Sequence, residues 1–191
     1  MEISSFKNIH KGERIFIIGT GPSINKTNLN LLKHENIFGV NTLYDSDFDI
    51  AFDYYAVSDQ AVWNAYYNDI LSLDTILFLS GIAAFCYRNH PKLYQGNHPR
   101  KPIVIPEVGR DGFSTDITKG LINNETVVSD ICLQVAYYMG FDKVYLLGID
   151  CDYSGAHRFN RAKSENKTTP AIEGDFTRIF KAFGLYVRTN R

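Results

Sequence analysis

The sequence predicts an α/β domain of Rossmann-like, three-layer type, built on a mainly parallel sheet. Three observations carry that expectation. Short continuous apolar runs recur along the chain, as strands covered on both faces require. Segments of helical spacing lie between them, as βαβ units demand. The first run ends in Gly19-Thr20-Gly21-Pro22-Ser23, a turn in which glycine lets the backbone bend sharply and approach a ligand closely.

The elements follow in order. Arg14 to Gly19 contains Ile15-Phe16-Ile17-Ile18, the first strand. The segment 25–34 carries Leu29, Leu31 and Leu32 among helix formers and is predicted helical. Ile37 to Asn41 and Tyr54 to Ser58 are the second and third strands, the latter entered from an acidic loop over 45–53. Gln60 to Leu71 has helical spacing around Val62, Trp63, Tyr66 and Ile70, and Thr75 to Ser80 is the fourth strand. Regularity breaks down over 87–110, where His90-Pro91, His98-Pro99 and Pro102 surround one short apolar run, Ile103-Val104-Ile105. An insertion or lid is expected there. Val127 to Met139 reads as an apolar helix closed by Gly140, and Lys143 to Asp150 as the clearest strand. A polar loop over 152–169 and an amphipathic helix over 170–186 complete one domain spanning 1–191.

Bulk properties exclude several classes. A formal charge of −1 gives no nucleic-acid or anionic-membrane surface. No apolar run reaches the roughly 20 residues a membrane helix needs. Cys86, Cys132 and Cys151 have neither metal-ligand spacing nor even number, and the N-terminus lacks the basic and apolar regions of a secretion signal. A cytoplasmic protein is expected.

Candidate functional residues gather at predicted strand ends, where open α/β sheets bind ligands. Gly19, Thr20, Gly21, Pro22 and Ser23 end the first strand; Pro22 and Ser23 fit a helix start that offers N–H groups to an anion. The turn is neither G-x-G-x-x-G nor a Walker A loop. Asn41 ends the second strand and Ser58-Asp59 the third, the latter pair also placed to cap the next helix. Asp150 ends the last strand, where it would organise a nucleotide ribose or a phosphate loop. Asp150 and Asp152 on one side of an extended segment form a candidate Mg²⁺ pair; no cofactor is firmly implied. His157, in Ser154-Gly155-Ala156-His157-Arg158, is a candidate general base.

Five motifs occur together in one order: Ile17 to Ser23, Gly39-Val40-Asn41, Tyr55 to Asp59, Thr126 to Ser129 leading into Ala136 to Phe141, and Leu147 to Asp150. Over about Arg14 to Tyr153 the chain resembles the 6-hydroxymethylpterin diphosphokinase-like domain family, whose bacterial members commonly lie among surface-polysaccharide genes. The scaffold is similar to that of bacterial CMP-sialic acid-dependent sialyltransferases. The resemblance implies a nucleotide or nucleotide-sugar ligand. Gly19, Thr20, Gly21, Pro22 and Ser23 would contact the phosphate or sugar. Asn41, Ser58 and Asp59 would line the pocket with Tyr153; Ser129 would sit by the donor and Asp150 by the base or ribose. Thr20 stands where those enzymes usually have asparagine, and their base histidine has no clear counterpart, which leaves His157 as the substitute. Family members usually continue into a further strand, whereas this sequence ends at Arg191; it reads as a fragment or as a pocket completed differently.

Three functions follow. The first is a glycosyltransferase-like enzyme using a nucleotide-activated sugar, CMP-linked by the resemblance, in surface-polysaccharide assembly. The second is a diphosphokinase moving pyrophosphate from ATP or GTP to a pterin alcohol with Mg²⁺ on Asp150 and Asp152. The third is a nucleotide-binding domain without catalysis.

Overall fold

The computed structural model describes residues 1–90, 101–124 and 126–150. Six strands form one parallel sheet in the order β5-β4-β3-β2-β1-β8: β1 Arg14–Ile18, β2 Asn36–Val40, β3 Tyr54–Val57, β4 Ile76–Leu79, β5 Ile103–Val104 and β8 Lys143–Leu147. Strands β6 (Glu107–Arg110) and β7 (Leu121–Asn123) pair in parallel as a separate small sheet. Helices α1 (Gln60–Ser72) and α2 (Gly81–Arg88) belong to one layer, and α3 (Leu133–Met139), entered through a wide π turn at Val128–Cys132, to the other.

The apolar runs form these strands because alternate side chains supply two cores. Ile15, Ile17, Phe38, Tyr54, Ala56 and Phe78 pack with the α3 side, where Ile131, Val135 and Met139 are buried. Ile18, Ile37, Tyr55, Val57, Leu77 and Leu79 pack with Val62, Trp63 and Ile70 of α1. Trp63 meets Tyr87 of α2 edge-on, with ring centroids 5.9 Å apart. Removing a buried aromatic such as Phe38 would cost about 3–5 kcal/mol, the transfer term plus the cavity.

The α/β fold and parallel sheet are as the sequence predicts, but four local expectations change. In place of a helix over 25–34 there are two 3-10 turns, Pro22–Lys26 and Leu29–Leu32. Asn28 explains part of this: its side chain accepts from Asn30 N–H at 3.3 Å, offering the backbone a local partner that competes with the α-helix. Helix α2 has no counterpart among the predicted elements. Its eight residues begin at Gly81 with φ +58°, a conformation that lets the chain turn straight off β4. The region 87–110 contains β5 and β6, while residues 91–100 lie outside the described set. The last strand stops at Leu147, because Gly148 at φ +62° turns the chain before Asp150. The predicted elements over 152–169 and 170–186 lie outside the described residues.

Gly140 closes α3 as expected, in the left-handed conformation at φ 84°, with Phe141 N–H returning to the Ala136 carbonyl at 3.2 Å. Among the described residues, no helix is long and apolar enough to cross a membrane.

Candidate functional site

Strand order reverses at β1, which has β2 on one side and β8 on the other. Such a switch point opens a crevice at the carboxyl ends of the strands. Here the Gly19–Ser23 turn folds onto the end of β8. Gly19 N–H donates to the Leu147 carbonyl at 2.8 Å and Gly21 N–H to the Gly148 carbonyl at 2.7 Å. A Cβ on Gly19 would lie 2.5 Å from the Gly148 carbonyl oxygen, and one on Gly21 would lie 2.7 Å from it. The two glycines are therefore required by close packing of backbone on backbone.

Asp150 fastens the same turn. Its Oδ2 accepts from Ser23 N–H at 2.9 Å, and its Oδ1 accepts from the Ser23 hydroxyl. In this structure Asp150 therefore orders the turn. The N–H groups of Gly19, Gly21 and Ser23 are engaged within the protein, and Pro22 begins a five-residue 3-10 turn. Thr20 lies half-buried between the two glycines.

Next along the edge, Asn41 follows β2 with φ +52°. Its N–H reaches the Ala56 carbonyl at 3.0 Å and its carbonyl accepts from the Tyr55 hydroxyl at 3.0 Å. Burial pushes the Tyr55 phenol pKa far up, so that hydroxyl stays a donor. The Asn41 side-chain oxygen and the Thr42 hydroxyl are buried with no hydrogen-bond partner among the described residues. An unpaired buried amide oxygen is costly, and a ligand hydroxyl or amino group would satisfy it.

Ser58 is half-buried at the end of β3, and its carbonyl accepts from Ala83 N–H at 3.2 Å. Asp59 is exposed and caps α1, accepting from Val62 N–H at 2.8 Å. At the end of β4, the buried Ser80 hydroxyl donates to Glu107 Oε1 at 2.9 Å, while Asn123 Nδ2 donates to Glu107 Oε2 at 2.8 Å.

Ser129 sits in the π turn, buried, with its hydroxyl 2.7 Å from that of Thr126. Beside it Asp130 is 2% exposed and accepts from Asn124 N–H. Burial pushes its pKa up to about 7; the Asn124 bond opposes this and the negative Glu107 reinforces it. Gln134, wholly buried, donates to the carbonyls of Ile122, Ser129 and Asp130 at 2.8 Å each. Its own oxygen accepts from Ser114 N–H at 2.8 Å and Ile122 N–H at 3.0 Å.

The structure thus joins Gly19, Gly21 and Ser23 directly to the segment Leu147–Asp150, and places Asn41 and Ser58 on neighbouring strand ends. Ser129 is instead held in the polar hub of the π turn. Cys151, Asp152, Tyr153 and His157 lie outside the described residues, and with them the candidate Mg²⁺ pair and base. Among the described residues no three His, Cys, Asp or Glu side chains gather as a metal site. Ser80, Glu107, Asp130 and Gln134 were absent from the sequence-based candidates. Ser80 satisfies the strand-end rule that selected Asn41 and Ser58, and Asp130 is the one acid in the mostly apolar segment 127–139. Glu107 has no such signal.

Comparison with known proteins gives a family and a fold. The sialyltransferase CstII from Campylobacter jejuni, solved with the substrate analogue cytidine-5'-monophosphate, superposes with a TM-score of 0.55 at 15% identity, covering 93% of this chain and 79% of that one. At that identity the likeness is one of fold. No curated relative matches the chain. The profile of the family described as 6-hydroxymethylpterin diphosphokinase MptE-like matches residues 1–156. The chain, with its glycine turn clasped to the end of β8 at the point of strand reversal, belongs to that MptE-like family.

Proposed function

We propose that the chain binds a nucleotide-activated sugar, CMP-linked, in the crevice between the Gly19–Ser23 turn and Asn41, and transfers the sugar to an acceptor hydroxyl in cytoplasmic surface-polysaccharide assembly. The observation that carries this is the buried Asn41 side-chain oxygen, unpaired among the described residues, at the end of β2 next to the switch strand β1. It is an acceptor, so it suits a ribose hydroxyl or a base amino group better than a phosphate. The structural neighbour bound to CMP supports the same ligand class.

In this reading Asp150 acts through Ser23 to keep the turn in shape, and Thr20 and Ser58 border the ligand. The sugar–phosphate C–O bond breaks as the acceptor oxygen bonds to the sugar carbon. The acceptor proton passes to a base, for which His157 is the candidate, and the phosphate leaves with the nucleotide. The family match favours a second reading, pyrophosphoryl transfer from ATP or GTP to a pterin alcohol with Mg²⁺ held by Asp150 and Asp152. In that role Asp150 would hold the ion with the acceptor positions that its two bonds from Ser23 leave open.

Calorimetry with CMP, CDP, ATP and GTP, each with and without Mg²⁺, separates the two. CMP binding without metal is expected. Purine triphosphate binding only with Mg²⁺ would replace the first reading by the second. If no nucleotide binds, both fall.

A further inference from the structure

Beyond the crevice, an open groove of about 460 Å³ runs between α2 and the chain from β5 to β6, lined by Gly81, Ile82, Phe85, Arg88, Val104 and Glu107 among others. We propose that this groove is the acceptor site and takes a sugar, two rings long, with its reacting end at Glu107. The proposal rests on the nucleotide-sugar reading and adds the place and chemical class of the second substrate.

Three features support a carbohydrate. Phe85 is 65% exposed and Ile82 54% exposed, side chains that a self-contained helix would turn inward. Glu107 lies at the other wall with its carboxylate fixed by Ser80 and Asn123. A carboxylate has about four acceptor positions, so these two bonds leave it capacity for ligand hydroxyls. An aromatic ring beside a pinned carboxylate matches a pyranose, which has an apolar C–H face and a rim of hydroxyl donors. A purely apolar helix or peptide would strand Glu107 and Arg88.

The dimensions and position agree. Eight residues of α2 extend about 12 Å at 1.5 Å each, the span of a disaccharide. Arg88, at the far end, supplies donors for ring and hydroxyl oxygens. At the near end, a Cβ on Gly81 would be 2.7 Å from Glu107 Oε1 and 3.7 Å from the Ser58 carbonyl. Glycine thus lets the carboxylate come close to the start of α2, and Ser58 and Asn41 end neighbouring strands, so this end of the groove and the candidate crevice share one edge of the sheet.

The test is an NMR titration of the full chain with cellobiose and lactose, alongside CMP calorimetry. Binding of at least one disaccharide is expected, with shift changes centred on Ile82, Phe85 and Glu107. Phe85→Ala, a surface substitution, should weaken it at least tenfold and change CMP affinity less than twofold. Glu107→Gln should also weaken it, with its fold checked by the dispersion of amide signals. Failure of both sugars in a protein that binds CMP overturns the groove assignment and leaves the nucleotide reading standing. Failure of CMP as well removes the nucleotide reading with it. Unchanged sugar affinity in Phe85→Ala, or a dimer that this substitution dissociates, also overturns the proposal; the dimer would give the face to a second copy.

Discussion

Gly21 has backbone and carboxylate on the side where any other residue would carry its Cβ. An added methyl would sit 2.7 Å from the Gly148 carbonyl oxygen and 2.8 Å from Asp150 Oδ2, so turn or strand end must move. Gly21→Ala is therefore expected to cost about 1–3 kcal/mol of stability, as overpacked sites do, and to lower CMP affinity at least tenfold. Asp150→Ala should lose CMP affinity to a similar degree, with little loss of stability because the carboxylate is exposed. Asp150→Asn, which keeps an acceptor for Ser23 N–H, should fall between. Thermal melts and calorimetry on the three variants check this, and full CMP affinity in Asp150→Ala would show that Asp150 does not organise the site.

Elements differ in how far they could be read from the residues. Central parallel strands are buried on both faces, so β1, β2, β3 and β4 appear as unbroken apolar runs in the sequence. Strand β5 has two residues and β7 three; at that length tertiary packing decides, and no periodicity can form. Helix α2 begins at a positive-φ glycine, a feature that predicts a turn. The strand-end residues Asn41, Ser58 and Asp150 were legible because chain order alone puts them on one edge of a parallel sheet. The Glu107–Ser80–Asn123 cluster was not, since single polar residues far apart in sequence give no sign of their pairing. Asp59 tests the division between scaffold and site. As the cap of α1 it should cost about 1 kcal/mol when changed to alanine, and CMP affinity should stay within twofold. A combined melt and titration would reveal a ligand role if affinity fell further.

Across the molecule, Asp130 couples stability to pH. Its folded pKa of about 7 exceeds the ordinary 3.8, so the folded state holds a proton that the unfolded chain releases. Its contribution is fully present below about pH 4, is lost as pH rises to about 7, and stays lost above that. By 1.36 kcal/mol per pKa unit, the whole change is on the order of 4 kcal/mol. Asp130→Asn keeps an acceptor for Asn124 N–H without the charge. Denaturant titrations from pH 4 to 8 should therefore show the variant gaining on the wild type as pH rises. Parallel curves would show that folding does not raise the Asp130 pKa.

The pairing of β1 with β8 has a consequence for the order of folding. Ile18 meets Leu147, so the clasp at the switch point closes a loop of more than a hundred residues. Contacts so remote in sequence form slowly, because the chain's freedom must be given up before they contribute. On a ribosome, β1 to β4 can begin to associate while β8 is still unmade, but the crevice cannot exist until Asp150 has emerged. Ligand binding would then report completion of the sheet, and a bound nucleotide would hold together segments far apart in the chain.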